Sequence, residues 1–440
     1  MIRRLLDRCR GHPVFGALFT LTVKVGGSLA ALAMFAIAAR TLDVTAFGEL
    51  VIVFNVVSLA AVVAVLGQDT LVQRSWGEYV ERAPDLARGA LVFGLSVVGL
   101  GAATTTLLFV GWARLLDGRL SGAEIAAVST FLVTQTFLHF TANLGRVACG
   151  SAHSEPPREL LWRLPLVIGL AAVAATDGRA SIFAFFATAA IGQAVGLAWL
   201  AVLILRRLPE PVRRAETRTA IREWAARSLT MAAAAWAEAA HQYADVVLIG
   251  RLVGPDAAAG YFVVARIAAI FSMLTSGIHT YSASKVAGLY YLDRIDELRR
   301  LMAQIAVLTS AIAMVLFVLI VFEGPLLLHV FGAGYEVFQV ELVAMSLVTF
   351  FGALAGPGPM LMLLTGADGP YLKLVSTSLA VRLAALCLFA PAFGIRGAVL
   401  AVAVAVVPFS ILVTLHCVRR IGVDPSLLAV FRRSRPKAAA

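Results

Sequence analysis

Three polar residues within one apolar run are of types, and at a spacing, that would let them act together in proton exchange. Glu238, His241 and Asp245 stand at i, i+3 and i+7, so they share one face of a helix. Buried carboxylates and histidines can exchange protons near neutral pH, which indicates an ion-coupling site, with hydrogen bonding between helices as the alternative. A Glu-x-x-His pair also suggests a metal, but a carboxylate-bridged dimetal site needs a second such pair. The sequence contains no second pair, and we expect neither a metal nor a cofactor.

Three cations also lie within apolar runs, namely Lys24, Arg266 and Arg382. A cation at the centre of a bilayer costs about 2.5 to 3.5 kcal/mol, so each should be paired or functional. Arg266 could pair with Asp245, which is predicted at a similar depth on the preceding helix. Lys24 and Arg382 have no obvious neighbour, and we expect both to face a polar cavity. Their alternatives are snorkelling to the interface or pairing with Glu238.

Weaker cavity candidates are three neutral polar residues. His139 and Asn143 stand at i and i+4 in one apolar run, and Asn55 lies in another. Such residues also serve as hydrogen-bonding contacts between membrane helices, and that alternative stays open.

The elements that must position these residues are membrane-spanning helices. The chain has 440 residues, 60% of them hydrophobic and only 14% charged, with a mean hydropathy of +0.87. A span needs roughly 20 apolar residues, so we predict an all-α polytopic protein with about twelve spans. Their approximate limits are 14–39, 47–66, 88–111, 122–145, 160–176, 181–205, 225–249, 260–283, 301–322, 338–364, 371–391 and 396–418.

The basic residues sort into alternate gaps between these runs. Most of the 37 Lys and Arg residues lie in one set of gaps, and the other set holds only Arg40, Arg114, Arg119, Arg179, Arg251 and Arg396. Because basic loops stay in the cytoplasm, both termini are predicted to be cytoplasmic. We expect a six-helix lobe at 1–205, a basic linker at 206–224, a second six-helix lobe at 225–418 and a basic tail at 419–440. An even number of spans in each lobe predicts a pseudo-two-fold axis along the membrane normal.

Several function classes are excluded by what the sequence lacks. It has no GxxxxGK[ST], HExxH or GxSxG motif, and no long predicted outward loop with paired carboxylates, so we expect no enzymatic activity. The net charge of +11 is explained by attraction to anionic membrane lipids, and nucleic acid is not an expected partner. The four cysteines form no CxxC pair, and free thiols are expected.

Motifs spread over nearly the whole chain resemble the bacterial polysaccharide flippases of the multidrug/oligosaccharidyl-lipid/polysaccharide exporter superfamily. Their order and spacing matter more than any one of them. They are Ala39-Arg40-Thr41-Leu42 with Phe47-Gly48, Asp245 to Gly250 with Gly254, Gly260-Tyr261 and Ala265-Arg266, then Phe331-Gly332 with Tyr335, Leu364-Thr365-Gly366, and Gly394 to Ala398.

This resemblance implies two six-helix lobes in a V, with a central cavity that opens alternately inward and outward. The implied cargo is an undecaprenyl-diphosphate-linked oligosaccharide, and the implied partners are membrane lipids and the polysaccharide polymerase machinery. Members of the family carry basic residues on the first and eighth spans, which Lys24 and Arg266 match. Lys24 stands where several relatives have Arg. The two extra spans of some peptidoglycan-precursor flippases are absent, which favours an O-antigen, capsule or exopolysaccharide cargo.

Two other functions remain as alternatives to a flippase in the bacterial inner membrane. A cation-coupled multidrug exporter of the same superfamily would need an acidic cavity, whereas Lys24, Arg266 and Arg382 exceed Glu238 and Asp245 in charge. A membrane glycosyltransferase or polymerase is the less favoured alternative.

Overall fold

The structure, a computed structural model, describes residues 13–429 except 177, 272–277, 279–281, 283–284 and 287. Cys9 and residues 430–440 of the predicted tail lie outside the described residues. Every regular element in the described part is a helix, as the sequence predicts. Cys149, Cys387 and Cys417 are free thiols.

Six predicted spans of the first half are helices. Spans two and four begin at side-chain caps, since Asp43 accepts a bond from the Ala46 amide and Ser121 forms a capping box with Glu124. Such caps satisfy backbone N–H groups at a helix start and so fix where the helix begins. In order, spans one to six are Pro13–Thr41, Val44–Val65 continued by Gln68–Tyr79, Pro84–Trp112, Gly122–Cys149, the composite helix 151–175, and Ile182–Arg207.

The remaining helices follow a short helix, Glu210–Arg214. Spans seven to ten are Ile221–Leu252, a span eight that begins as Pro255–Ala268, Ile295–His329, and Gln339–Leu354 continued by Gly358–Leu364. Spans eleven and twelve form the continuous segment Asp368–His416, which bends at Gly394 (φ 59°).

Eight of the described helices are long and apolar enough to cross a membrane. The last of them, Asp368–Ile421, is 54 residues long and holds two predicted spans. Predicted spans five and seven are not among the eight, because the helix of span five is interrupted and that of span seven carries several charged and polar residues. Span eight includes residues outside the described part of the chain. Each of the twelve predicted spans therefore corresponds to a helix, or to part of one, in the described residues.

Residue contacts divide the chain into two compact units, Met1–Ala244 and Asp245–Ala440. The division falls inside span seven and not in the basic segment 206–224. In the first unit, the start of span seven is held by its side chains: Trp224 is fully buried beside the rings of Tyr79 and Phe93. Arg227 also lies 3.1 Å from Glu78. These contacts explain why the beginning of span seven belongs with the helices before it.

Span five begins well before its predicted limits of 160–176. The helix begins at Ser151 and passes through a π-helical turn, Pro157–Leu161, before continuing as Arg163–Ala175. The predicted loop before residue 160 is therefore helical, and its charged residues lie inside the first unit. Their mutual pairing, described below, makes that placement possible.

Span ten breaks at the repeat Gly356-Pro357-Gly358-Pro359. Gly356 has a φ of +74°, and an added Cβ would lie 1.9 Å from the carbonyl oxygen of Pro425. The Leu427 amide also donates to the Leu354 carbonyl at 3.0 Å. The segment after span twelve therefore fills this break, which is a packed kink.

Candidate functional site

A cluster of polar side chains lies within the helices of the first unit. One end of it is a chain of bonds between spans two, four and five. Arg146 Nε lies 2.6 Å from Glu155 Oε1, and Arg146 Nη1 donates to Asn143 Oδ1 at 2.8 Å. Gln73 donates to the same Asn143 oxygen at 3.0 Å. Glu155 is almost fully buried, with a side-chain exposure of 2%, so its charge depends on Arg146.

The other end of the cluster surrounds Glu159 in the π-helical turn of span five. Arg163 Nη1 lies 2.7 Å from Glu159 Oε2, and its guanidinium stacks 4.6 Å from the centroid of the Trp162 ring. Arg158 Nε lies farther away, 3.8 Å from Glu159 Oε1. Glu159 therefore has one close cation and a second, more distant one. π-helical turns are frequent at functional sites, because they shift the side chains of a helix out of regular register.

Lys24 of span one lies beside this turn. A Cβ added at Gly27, one turn after Lys24, would lie 2.8 Å from Glu159 Cβ, so the two helices touch there. The Lys24 charge acts on Glu159, but no hydrogen bond or ion pair of its ammonium is found within the described residues. The side chain is exposed. Lys24 stands about 16 Å from the start of its helix at 1.5 Å per residue, deep in the span.

Cations exceed carboxylates in this cluster. Lys24, Arg146, Arg158 and Arg163 are accompanied by Glu155, Glu159 and Asp69, whose charge acts on Arg158 and Arg146. An uncompensated cation is costly in hydrocarbon. Because Lys24 is exposed and cations are in excess around it, an anion beside span one would be stabilised electrostatically.

A second polar group lies in the second unit, around Asp245. The Tyr261 hydroxyl donates to Asp245 Oδ2 at 2.6 Å, and Arg382 Nη2 of span eleven pairs with the same oxygen. The side chains of Asp245 and Arg382 are 5% and 13% exposed. This triad joins spans seven, eight and eleven through a buried ion pair.

The triad changes two expectations. A guanidinium partner for Asp245 was predicted from Arg266, and it comes from Arg382. The prediction that Arg382 has no charged neighbour is wrong, since it pairs with Asp245. Its role in lining a substrate cavity stays a prediction. Arg266 is half-buried in Pro255–Ala268 and makes contacts within the fold. The partner of Arg382 could not be predicted from the sequence, because Asp245 lies far from it along the chain.

The remaining predicted site residues lie in different environments. Glu238 is exposed, and His241 is half-buried. No hydrogen bond or ion pair to Glu238 is found within the described part of span seven and its neighbours. Asn55 is buried, and its amide donates to the Val51 carbonyl of its own helix at 2.6 Å. His139 lies near the charged cluster, and Asn143 belongs to it. Binding of substrate or ions by these residues stays a prediction.

Several members of the cluster were missed from the sequence. Arg146 and Arg158 fall in a predicted cytoplasmic loop, and Arg163, Glu155 and Glu159 are not among the predicted site residues. The signal was present, since Glu159 and Arg163 stand at i and i+4, as ion pairs on a helix do.

No protein-family model and no curated protein matches this sequence. Its fold, however, is similar to solved transporters. An inward-facing structure of a multidrug resistance MATE family transporter of the MOP superfamily superposes with a TM-score of 0.69 at 15% identity, covering 95% of this chain and 100% of that chain. An outward-facing structure of a multidrug resistance MATE family transporter superposes with a TM-score of 0.63 at 14% identity. The match covers 94% of this chain and 97% of that chain.

A third similar structure is a MOP superfamily transporter from Pyrococcus furiosus, described as having a binding pocket of reverse polarity that suggests a different function. Its TM-score is 0.64 at 13% identity, and it covers 94% of this chain and 97% of that chain. These identities establish the fold alone. The chain has the fold of multi-pass membrane transporters with 12 transmembrane helices in two lobes, which confirms the predicted fold class.

Proposed function

We propose that this protein is a flippase for an undecaprenyl-diphosphate-linked oligosaccharide in the bacterial inner membrane. It moves the repeat unit of an O-antigen, capsule or exopolysaccharide from the inner to the outer leaflet by alternating access. The transporter fold supports this proposal, and similar transporters are known in inward-facing and outward-facing conformations. The polysaccharide polymerase machinery is the proposed downstream partner, and both termini are proposed to be cytoplasmic.

The exposure of Lys24 carries the proposal. The Lys24 ammonium is exposed, lies deep in a span and forms no ion pair within the described residues. Such a costly position is explained if the ammonium binds an anion during transport. Among lipid-linked cargoes, a diphosphate headgroup offers that anion, and hydrogen bonds between ammonium and phosphate are stronger than neutral ones. The nearby cation excess around Glu159 favours the same cargo.

Replacement of Lys24 tests this function in cells. We expect Lys24→Ala to lower surface polysaccharide at least about ten-fold, since a hydrogen bond to a charged group contributes about 1.5 to 3 kcal/mol. Lys24→Arg should keep most of the activity because it keeps the charge. Lys373→Ala, at another exposed lysine, is the matched control and should have no effect. Normal polymer from Lys24→Ala at an unchanged protein level would contradict the proposal.

A second candidate, a cation-coupled multidrug exporter, is favoured by one observation. Glu238 is exposed on span seven, where a carboxylate could receive a cationic drug or a coupling proton. Drug susceptibility separates the two functions. The exporter predicts that deleting the gene sensitises cells to cationic drugs and that Glu238→Gln does the same, whereas the flippase predicts unchanged susceptibility in both strains.

A further inference from the structure

A pocket of about 500 Å³ lies at the ends of several helices of the first unit, apart from the charged cluster. It is called the linker pocket here, because the segment that follows span six forms part of its wall. Its lining residues are Trp76, Val80, Glu81, Pro84, Ala148, Arg207, Pro209 and Pro211.

The position of these residues places the linker pocket at the membrane surface. Trp76 lies in the last turn of Gln68–Tyr79, Ala148 in the last turn of Gly122–Cys149, and Arg207 is the last residue of Ile182–Arg207. The ends of spans meet the lipid headgroups, where tryptophan is also favoured. The pocket thus has an apolar and aromatic wall at headgroup depth.

Arg207 supplies a fixed positive charge in this wall. Its Nη1 donates to the Cys149 carbonyl at 3.0 Å, and its Nη2 lies 3.2 Å from His153 Nε2. These contacts use part of the guanidinium and hold its orientation, while the side chain remains exposed. A guanidinium has five N–H donors, so others remain for a ligand in the pocket.

Cations outnumber carboxylates in and next to the lining set, where the carboxylates are Glu81, Glu210 and Asp85. Exposed Arg82 and Arg206 adjoin lining residues in sequence, and Arg213 follows Pro211 closely. Arg214 is paired with Glu210 at 2.6 Å. Glu81 is the one acidic residue among the lining set. The balance of charge therefore favours an anionic ligand.

We propose that the linker pocket binds the headgroup of an anionic phospholipid, with its phosphate on Arg207 and its glycerol and first acyl carbons against Trp76 and the prolines. Basic pockets between spans at a membrane surface are suited to such headgroups. The bound lipid joins the ends of spans two, four and six to the linker. This site is independent of the transported cargo.

Lipid binding to the purified, delipidated full-length protein tests this site. Native mass spectrometry compares phosphatidylglycerol, cardiolipin and phosphatidylethanolamine, and thermal unfolding compares the protection given by phosphatidylglycerol with that given by soluble glycerol phosphate. We expect both anionic lipids to bind more tightly than phosphatidylethanolamine, and glycerol phosphate to give no protection. Arg207→Gln should weaken binding of phosphatidylglycerol about five-fold, the effect of one basic residue at a membrane surface. Glu81→Gln should strengthen it.

The matched control is Arg206→Gln, which removes the neighbouring charge outside the pocket lining and should change binding less than two-fold. If Arg206→Gln and Arg207→Gln weaken phosphatidylglycerol binding equally, the lipid is attracted to the basic surface in general. That result would overturn the proposed site. Equal binding of phosphatidylethanolamine, or equal protection by glycerol phosphate, would also overturn it. If Arg207→Gln fails to fold, the Glu81→Gln result decides, and unchanged or weaker binding of phosphatidylglycerol by that variant contradicts the proposal.

Discussion

Lys24 and Arg382 look alike in the sequence, since each is a single cation near the middle of an apolar run. In the structure their environments differ. Arg382 is 13% exposed and paired with Asp245, whereas Lys24 is exposed. A carboxylate that is paired with a guanidinium has little attraction left for a transported cation. The second unit therefore offers a structural ion pair, and the cation most available to an anion is Lys24.

The Asp245 triad predicts a large cost when one partner is removed. Arg382→Met should lower the free energy of unfolding by about 3 to 5 kcal/mol, because it leaves a buried carboxylate without its guanidinium. Tyr261→Phe, which removes one hydrogen bond, should cost less, about 1 to 3 kcal/mol. Thermal unfolding of the purified variants in detergent measures both effects.

The double variant Asp245→Asn with Arg382→Met provides the control for this prediction. It removes both charges together, and should recover much of the loss because no buried charge is then left uncompensated. If the double variant is no more stable than Arg382→Met, the two side chains do not act as a pair.

At the scale of elements, span five shows where sequence patterns fail. Its first residues include Pro156, Pro157 and several charges, which together resemble a cytoplasmic loop. The structure makes them helical, because the charges pair with one another inside the unit and the π-helical turn accommodates the prolines. Such pairing depends on residues of spans one, two and four. A single-sequence pattern contains no such tertiary information.

The earlier start of span five predicts a difference between two serines. Ser151 is exposed, whereas Ser154 has 1% of its surface accessible. In a variant without other cysteines, Ser151→Cys should react quickly with a charged maleimide and Ser154→Cys at least about ten-fold more slowly, since reaction needs an exposed thiolate. Equal rates at the two positions would mean that residues 151–156 form an open loop.

The kink of span ten predicts opposite effects for two glycines. Gly356→Ala should be destabilising by more than about 1 to 2 kcal/mol, because its positive φ is strained for alanine and the new Cβ would collide with the Pro425 carbonyl. Gly352 lies in a regular helix with open space around its Cβ position. Gly352→Ala should therefore be neutral or stabilising, by up to about 1 kcal/mol.

Thermal unfolding of these two variants checks the kink directly. A Gly356→Ala variant as stable as the unchanged protein would show that the segment around Pro425 does not pack into the break. In that case, the break in span ten would be free to act as a moving joint.

For the whole molecule, hydropathy and charge sorting were enough to predict the helical architecture. Apolar length reports directly on membrane crossing, so most spans are recognised from the sequence alone. The composition of the charged cluster was less predictable. Its members come from four spans, and Arg158 and Glu159 were hidden in an apparent loop. Sequence periodicity identifies the face of a helix but does not identify the helix that packs against it.

Transport of a lipid-linked oligosaccharide that carries a diphosphate can be measured in sealed vesicles. The vesicles contain the purified protein and a fluorescent undecaprenyl-diphosphate-linked oligosaccharide in both leaflets, with a membrane-impermeant quencher outside. We expect nearly all of the fluorescence to become quenchable with the unchanged protein, and only about half with Lys24→Ala or in empty vesicles. If quenching stops at half with the unchanged protein, while the same vesicles transport a cationic drug, the protein is an exporter and not a flippase.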